Sequence, residues 1–274
     1  MHRPPTISAA LALSGLVPLE ARLLLAHVLG RDRAWIAAHG DAALSPEAAR
    51  RFDALVRRRS AGEPIAYLTG RREFFALDLE ITPEVLIPRP ETELLVELAL
   101  QWLPIDSSAR VLDLGCGSGA VALAIAHERP RASVLGADLS APAVALARRN
   151  RERLAIENAT FVESDWFAAL PREPFTIIVA NPPYVAQHDP HLGEGDLRFE
   201  PAAALVSGED GLDAVRTILG AAPAYLAPAA RLALEHGHDQ ASAVRTLMRD
   251  AGFTAIASAR DLAGIERVTY GVAP

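Results

Sequence analysis

ARVLDLGCGSGAVALAIAHE, residues 109–128, is the stretch that decides the fold. An apolar run leads into three glycines, Gly115, Gly117 and Gly119, and a second apolar segment with helical character follows. Glycines at a strand-to-helix junction allow a tight turn and let a ligand approach the amides that open the helix. The stretch predicts a strand, a ligand-binding loop and a helix, although tight packing alone also explains such a turn.

Further apolar runs repeat this alternation along the chain. They are ASVLGA, ATFVE, FTIIVA, ARLALE, FTAIAS and RVTYGV, with helical segments between them. Strands that alternate with helices predict a mostly parallel sheet covered on both faces. We therefore expect an α/β fold with a doubly wound, Rossmann-like sheet over residues 90–274.

The first 72 residues have a different pattern, which predicts a small helical domain. LEARLLLAHVLG has apolar residues at helical spacing and ends at Gly30. A second helix is predicted from Ser45 as N-cap and Pro46 at the first helical position. This helix is rich in arginine, and either a solvated face or docking to an acidic partner explains its charge.

A β-hairpin linker is predicted over residues 73–89. EFFALDLEITPEVLIP reads as two short strands joined by a turn near Thr82 and Pro83. The linker separates the helical domain from the α/β domain.

Composition excludes several classes of protein. The single cysteine, Cys116, excludes an internal disulfide framework and a cysteine-based zinc site. Apolar runs are too short for a membrane span, and MHRPPTISAALALSG lacks the pattern of a signal peptide. The net charge of −7 argues against an extended nucleic-acid surface, which needs a basic excess. We expect a cytoplasmic protein without membrane contact.

The glycine-rich loop is consistent with two cofactors. Gly115, Gly117 and Ala120 fit a dinucleotide pattern as well as an S-adenosylmethionine site. Asp138 ends the next strand, 19 residues after Gly119, where a carboxylate can accept both ribose hydroxyls of either cofactor. Asp113 favours S-adenosylmethionine, because an acid there would repel a dinucleotide phosphate but would tolerate a methionine ammonium.

Trp166 follows the third strand of the α/β pattern, in the segment SDWF. Its ring can cover one face of an adenine. Ordinary packing explains a tryptophan at this position equally well, and the sequence leaves both interpretations open.

Asn181-Pro182-Pro183-Tyr184 follows the strand FTIIVA. Two prolines make this turn rigid and remove two backbone donors. The turn resembles the motif of S-adenosylmethionine-dependent methyltransferases that modify planar nitrogens. The chemistry explains the motif, because the Asn181 oxygen and the Pro182 carbonyl can accept both hydrogens of an NH2 group while Tyr184 stacks on its plane. That arrangement orients the weakly nucleophilic nitrogen and stabilises the positive charge that develops on it.

Two longer stretches narrow the resemblance. GEPIAYLTGRREFFALDLEITPEVLIPRPETE (62–93) and RFEPAAALVSGEDGLDAVRTI (198–218) closely resemble the bacterial release factor glutamine methyltransferases, the HemK/PrmC family. A sister family, which methylates a glutamine of a ribosomal protein, shares Asn-Pro-Pro-Tyr. The segment Pro90-Glu91-Thr92-Glu93 follows the release-factor pattern instead.

The resemblance implies a class I methyltransferase sheet and N5-methylation of the glutamine in the Gly-Gly-Gln tripeptide of class 1 peptide chain release factors. It implies S-adenosylmethionine as methyl donor, no metal, and docking of the release factor by the N-terminal helices. By motif match, the cofactor residues are Gly115, Cys116, Gly117, Ser118, Gly119, Asp138, Trp166 and Asn181. The glutamine-binding residues are Asn181, Pro182, Pro183 and Tyr184, of which Asn181, Pro182 and Tyr184 are expected to be catalytic.

The rival functions explain less of the sequence. A nucleic-acid amino-methyltransferase usually adds a basic face or a recognition domain, and neither is evident here. A NAD-dependent oxidoreductase leaves Asn-Pro-Pro-Tyr unexplained, and a non-enzymatic adenosine-binding module does not need a rigid acceptor turn. Methylation of a ribosomal protein glutamine remains the alternative within the same chemistry.

Overall fold

The computed structural model describes residues 5–274, and these residues divide into two compact units. One unit contains the described residues up to Arg71 together with His191–Phe199, and the other contains Arg72–Pro190 and Glu200–Pro274. The first four positions of MHRPPTISAALALSG, the segment without a signal-peptide pattern, lie outside the described residues. The predicted boundaries at 1–72, 73–89 and 90–274 stay predictions about domains.

The first unit is helical, as predicted. Its helices are α1 (Ile7–Leu13), α2 (Pro18–Leu29), α3 (Arg33–Ala38), α4 (Pro46–Ser60) and α5 (Ile65–Thr69). Gly30 ends α2 in the left-handed conformation, with φ of 60°. The Ser45 hydroxyl accepts a hydrogen bond from the Ala48 amide at 3.1 Å, which caps α4. Ile7, Phe52 and the apolar residues of α2 form the core of this unit.

The segment His191–Phe199 belongs to the helical unit although it lies far from it in sequence. Arg59, at the end of α4, donates to the carboxylates of Glu20 at 2.7 Å and Asp196 at 3.2 Å. Part of the basic charge of α4 is therefore used in ion pairs inside this unit. The sequence did not predict this attachment.

The predicted β-hairpin exists, but the predicted position of its turn is wrong. Its strands are β1 (Arg71–Phe74) and β2 (Leu77–Glu80). The turn consists of Phe75 and Ala76, with φ of 46° and 60°, and not of residues near Thr82 and Pro83. Two central residues with positive φ match the twist of a hairpin, and glycine or asparagine usually marks them. Phe-Ala carries no such signal, which explains the error.

The second unit is built on a twisted mixed sheet. Its strands are β3 (Arg110–Leu114), β4 (Ser133–Asp138), β5 (Ala159–Glu163), β6 (Phe175–Ala180), β7 (Leu226–Glu235), β8 (Thr254–Arg260) and β9 (Glu266–Val272). Within residues 5–274 these seven strands have the order β5-β4-β3-β6-β7-β9-β8. The strands from β5 to β7 in this order pair in parallel, whereas β9 is antiparallel to both β7 and β8. The doubly wound α/β fold and each strand predicted from an apolar run are confirmed.

Helices alternate with these strands along the chain. They are α6 (Glu93–Trp102), α7 (Ala120–Glu128), α8 (Ala141–Arg153), α9 (Asp213–Ala221) and α10 (Ala241–Asp250). Their apolar faces pack on the sheet and complete its core, with α7 buried from Ala120 to Ala126. Across residues 5–274, no helix is both long and apolar enough to cross a membrane.

The sheet brings three strand ends together at one edge. Leu114, the last residue of β3, lies opposite Ala137 of β4 and Ala180 of β6. The strand order reverses between β3 and β6, and in doubly wound sheets ligands bind in the crevice at such a point. The loops after β3, β4 and β6 therefore converge, and they carry the glycine-rich turn, Asp138 and Asn181.

Candidate active site

The glycine-rich loop has a backbone that favours glycine. Gly115, Gly117 and Gly119 have φ of 71°, 52° and 82°, a region that other L-residues rarely adopt. Gly119 directly precedes α7, and a Cβ at this position would lie 3.0 Å from the Phe161 ring. Backbone conformation therefore favours glycine at all three positions, and close packing adds a second requirement at Gly119.

Asp138 ties this loop to the next one. Its Oδ2 accepts a hydrogen bond from the Gly117 amide at 2.8 Å, and its Oδ1 accepts from the Ser140 amide at 2.9 Å. Burial raises the pKa of Asp138, and the two amide hydrogen bonds oppose that rise. Each carboxylate oxygen can accept a further hydrogen bond. Asp138 can therefore organise the loops and still accept ribose hydroxyls, which stays its predicted role.

Asp113 is buried beneath the loop. It is 2% exposed, and its Oδ2 accepts from the Ala122 amide of α7 at 3.0 Å. Burial raises the pKa of Asp113 to about 7, and the charge of Asp138 acts in the same direction. Burial also raises the pKa of the Cys116 thiol well above its ordinary value. A protonated thiol is a poor nucleophile, so Cys116 is unsuited to covalent catalysis.

A cavity of about 290 Å³ opens where the three loops meet. The predicted site residues that line it are Gly115, Cys116, Gly117, Ser118, Asp138, Trp166, Asn181 and Pro183. Within the described chain, the lining of this cavity does not include Gly119, Pro182 or Tyr184. Trp166 has φ of 47°, so a strained backbone places its ring in the wall. Trp166 therefore lies at the cavity and is not buried entirely in the protein interior, whereas its contact with the cofactor stays a prediction.

Several lining residues were not predicted. Val85 and Leu86 of the linker, and Leu139 directly after Asp138, add apolar wall. Leu139 is 67% exposed although it is apolar, so it is available to the flat face of a ligand. A large apolar residue directly after Asp138 is a signal that sequence reasoning did not use.

The charge of the cavity wall distinguishes between the two cofactors that the loop allowed. Among the described lining residues four are acidic, namely Glu84, Asp113, Asp138 and Asp165, and none is arginine, lysine or histidine. A dinucleotide carries phosphates, which such a wall repels. S-adenosylmethionine carries a sulfonium and an ammonium group, which it attracts. The residues present therefore fit S-adenosylmethionine.

The Asn-Pro-Pro-Tyr turn begins directly after β6. The Asn181 Nδ2 group donates a hydrogen bond to Thr92 Oγ1 at 3.1 Å. The other end of the amide, Oδ1, is buried and has no hydrogen-bond partner among residues 5–274. Buried polar atoms in proteins are normally paired, and those that are not commonly await a ligand or a water molecule. Asn181 thus lines the cavity and keeps one buried acceptor without a partner among the described residues.

Tyr184 is fixed through its backbone. Its carbonyl oxygen accepts a hydrogen bond from Gln240 Nε2 at 3.0 Å. Burial, with a smaller contribution from the charge of Glu235, raises the pKa of the Tyr184 hydroxyl. The hydroxyl therefore stays protonated and is unsuited to act as a general base, and stacking by the ring stays a prediction.

Glu235 is a buried acid that sequence reasoning missed. It is the last residue of β7, and it is 1% exposed. Burial raises its pKa to about 7, against the opposing effect of a hydrogen bond with Thr92. Its position was detectable, because a carboxylate at the carboxyl end of a central strand lies at the ligand-binding edge of a doubly wound sheet.

An ion pair fixes the loop that borders the cavity. Arg89 of the linker donates to Glu200 Oε1 at 2.6 Å, and the Glu200 side chain is fully buried. The next residue, Pro201, lines the cavity together with Ala203 and Ala204. This contact between Arg89 and Glu200 holds the start of the loop beside the cavity. In the part of the chain that the structure describes, no group of three or more His, Cys, Asp or Glu side chains is arranged to hold a metal ion.

Comparison with known proteins places the chain in a family. The model of the Methyltransferase small domain matches residues 91–209, and that of the PrmC N-terminal domain matches residues 7–70. A release factor glutamine methyltransferase from Burkholderia pseudomallei is 53% identical over 99% of this chain and 97% of that protein. The Escherichia coli release factor glutamine methyltransferase is 47% identical over 92% of this chain and 91% of its own length. The chain belongs to the release factor glutamine methyltransferase family.

Solved structures agree with the fold expected for the family. A T. thermophilus 16S rRNA N2 methyltransferase, solved with AdoMet and guanosine, has a TM-score of 0.55 at 22% identity and covers 74% of this chain and 50% of its own. A methyltransferase from Pyrococcus furiosus has a TM-score of 0.55 at 18% identity, covering 79% of this chain and 96% of its own. At these identities the likeness concerns the fold alone. The family membership confirms the resemblance recognised in the sequence, whereas the roles of individual residues stay predictions.

Proposed function

We propose that this protein methylates N5 of the glutamine in the Gly-Gly-Gln motif of class 1 peptide chain release factors, with S-adenosylmethionine as methyl donor. Membership in the release factor glutamine methyltransferase family supports the substrate, and the acidic, apolar-walled cavity supports the cofactor. The observation that carries the proposed chemistry is the buried Asn181 oxygen, which has no partner among the described residues.

S-adenosylmethionine, when bound, supplies a methyl group attached to an electrophilic sulfonium. Gly115 to Gly119 form the loop that would hold it, Asp138 would accept its ribose hydroxyls, and Trp166 would cover its adenine. The buried Asp113 carboxyl, whose pKa is about 7, adds negative potential beneath the loop once it is ionised. These assignments follow the predicted roles and the positions of the residues in the cavity wall.

The glutamine amide is a poor nucleophile because its nitrogen lone pair is delocalised into the carbonyl. Asn181 Oδ1 and the Pro182 carbonyl would accept its two N–H groups, which fixes the plane and direction of the nitrogen. Both acceptors also stabilise the positive charge that develops on nitrogen during methylation. No strong base is required, because the nitrogen proton becomes acidic only after methylation begins, and water can then take it. Tyr184 would stack on the amide plane.

The first experiment combines purified protein, labelled S-adenosylmethionine and an unmodified release factor. Mass spectrometry should locate one added methyl group on the Gly-Gly-Gln glutamine, and a release factor with that glutamine replaced should stay unlabelled. If the cofactor binds but no release factor is labelled, the proposed substrate is wrong. Labelling of a ribosomal protein or of nucleic acid in the same assay would identify the alternative.

Asn181→Ala tests the chemistry separately from the substrate. Loss of one acceptor aligned with developing charge typically lowers turnover by about 100- to 1000-fold. We expect such a loss of turnover, while the dissociation constant of S-adenosylmethionine, measured by calorimetry, changes little. Turnover within a few-fold of the wild type would refute the acceptor role. Docking of the release factor by the helical unit, the absence of a metal and a cytoplasmic location stay predictions.

A further inference from the structure

Thr92 lies at the start of α6 but does not cap it. Threonine at this position commonly accepts a hydrogen bond from an amide of the first helical turn, as Thr6, Ser45 and Ser140 do in their helices. Among the described residues, the Thr92 side chain makes no capping hydrogen bond. It is 4% exposed, so its hydroxyl is committed to other partners in the interior.

One of these partners is Asn181. Thr92 Oγ1 accepts a hydrogen bond from Asn181 Nδ2 at 3.1 Å, across 89 residues of sequence. The two ends of an asparagine amide have opposite character, since NH2 only donates and the oxygen only accepts. The bond to Thr92 engages the NH2 end, and Oδ1 is left as the end without a partner among residues 5–274.

The second partner explains why Thr92 accepts from Asn181 and does not donate to it. Thr92 also hydrogen bonds with the Glu235 carboxyl. A hydroxyl has a single proton, and an ionised carboxylate can only accept. When Glu235 is ionised, the proton of Thr92 therefore points to Glu235, and the lone pairs of the hydroxyl face Asn181. If the Asn181 amide rotated by half a turn, its oxygen would meet another oxygen whose proton is already engaged.

We propose that Thr92 and Glu235 are positioning residues that hold the Asn181 amide with its oxygen directed to the substrate. The inference rests on the proposed function, because the substrate group that needs this acceptor is the glutamine NH2. With the amide reversed, NH2 would face NH2 and the substrate would lose an acceptor. Thr92 and Glu235 thus act through Asn181 and do not touch the reacting atoms.

The test compares Thr92→Val with Thr92→Ser at about pH 8.5, where Glu235 is mainly ionised because its pKa is about 7. Valine keeps the shape of threonine without the hydroxyl, whereas serine keeps the hydroxyl. We expect kcat of Thr92→Val on an unmodified release factor to fall by about 10- to 100-fold. The KM for the release factor and the dissociation constant of S-adenosylmethionine should stay within a few-fold of wild type. Thr92→Ser should restore most of kcat.

Each outcome separates the inference from the function on which it rests. Wild-type protein that methylates no release factor refutes the proposed function. An active wild type together with a fully active Thr92→Val refutes the inference. Equal losses in the valine and serine variants, or a loss of cofactor binding, indicate a structural role for Thr92 and also refute it.

Glu235→Gln provides a second test if Thr92→Val fails to fold. Glutamine can donate to Thr92 as well as accept from it, so the direction of the hydrogen bonds is no longer fixed. We expect kcat to fall while cofactor affinity is unchanged. Unchanged kcat in a folded Glu235→Gln protein would overturn the inference.

Discussion

The wild type should lose stability as the pH rises because Glu235 ionises, and Glu235→Gln should not undergo this loss. Burial raises the pKa of Glu235 from 4.5 to about 7, with Glu91 acting in the same direction and Thr92, Arg267 and Arg89 opposing it. Between these two values the folded chain holds a proton that the unfolded chain has released. The stability from this group is therefore fully present below about pH 4.5 and is lost as the pH rises through about 7.

The magnitude follows from the size of the shift. One pKa unit corresponds to about 1.4 kcal/mol, so the whole shift corresponds to roughly 3 kcal/mol. A comparison of about pH 5.5 with about pH 8.5 samples about 1.5 units of it, or about 2 kcal/mol. Glutamine does not titrate, so the variant loses none of this stability. The difference in free energy of unfolding, variant minus wild type, should therefore be about 2 kcal/mol larger at about pH 8.5 than at about pH 5.5.

Urea unfolding of both proteins at the two pH values measures this difference. Glu266→Gln is the matched control, because hydrogen bonding to Arg245 lowers the pKa of Glu266. That carboxyl is ionised in the folded and the unfolded chain over the whole window, so the effect of its replacement should not depend on pH. If Glu235→Gln shows a pH-dependent difference below about 0.5 kcal/mol, the burial argument for Glu235 is refuted.

Two further substitutions test the turn and the cofactor loop. Gly211→Ala should destabilise the protein by about 2 kcal/mol in thermal unfolding and should lower turnover in a methyl-transfer assay. Gly211 has φ of 76°, and an added Cβ would clash with the Tyr184 carbonyl oxygen. Gly220→Ala is its control, since Gly220 lies in α9 with no described neighbouring atom within 4 Å of an added Cβ, and it should be neutral or stabilising. Asp138→Ala should weaken S-adenosylmethionine binding about tenfold or more in calorimetry, because it removes an acceptor and releases the Gly117 amide. Unchanged affinity would exclude the ribose role of Asp138.

Sequence patterns predicted those parts of the molecule that local physics determines. The strand runs, the Ser45 cap and the glycine-rich loop each depend on residues within one or two turns of the chain. Asn181 was predicted as a site residue because Asn-Pro-Pro-Tyr resembles a methyltransferase motif, and the two prolines explain why that turn is rigid and poor in donors. The Phe75–Ala76 turn was missed because its residues are atypical for its conformation.

Long-range contacts were not predictable in the same way. The bond between Asn181 and Thr92 joins residues 89 apart, and the Arg59–Asp196 ion pair joins residues 137 apart. The presence of Thr92 or Arg59 in the sequence does not indicate a distant partner, since threonine and arginine occur at many helix ends for local reasons. Only the packed sheet and helices decide that these side chains meet.

The charged side chains that line the cavity are all carboxylates among the described residues, and the proposed reaction explains why. Methyl transfer to an amide moves positive charge towards nitrogen and creates no negative charge on the substrate. Hydrogen-bond acceptors and carboxylates therefore stabilise the positive charge that moves from the sulfonium to the nitrogen. A low-dielectric interior strengthens this electrostatic stabilisation. Keeping Asn181 Oδ1 without a partner among the described residues, and leaving α6 without a Thr92 cap, costs folding stability. Local rules are commonly broken at functional sites, and in the proposed mechanism each exception provides or orients an acceptor for the same amide nitrogen.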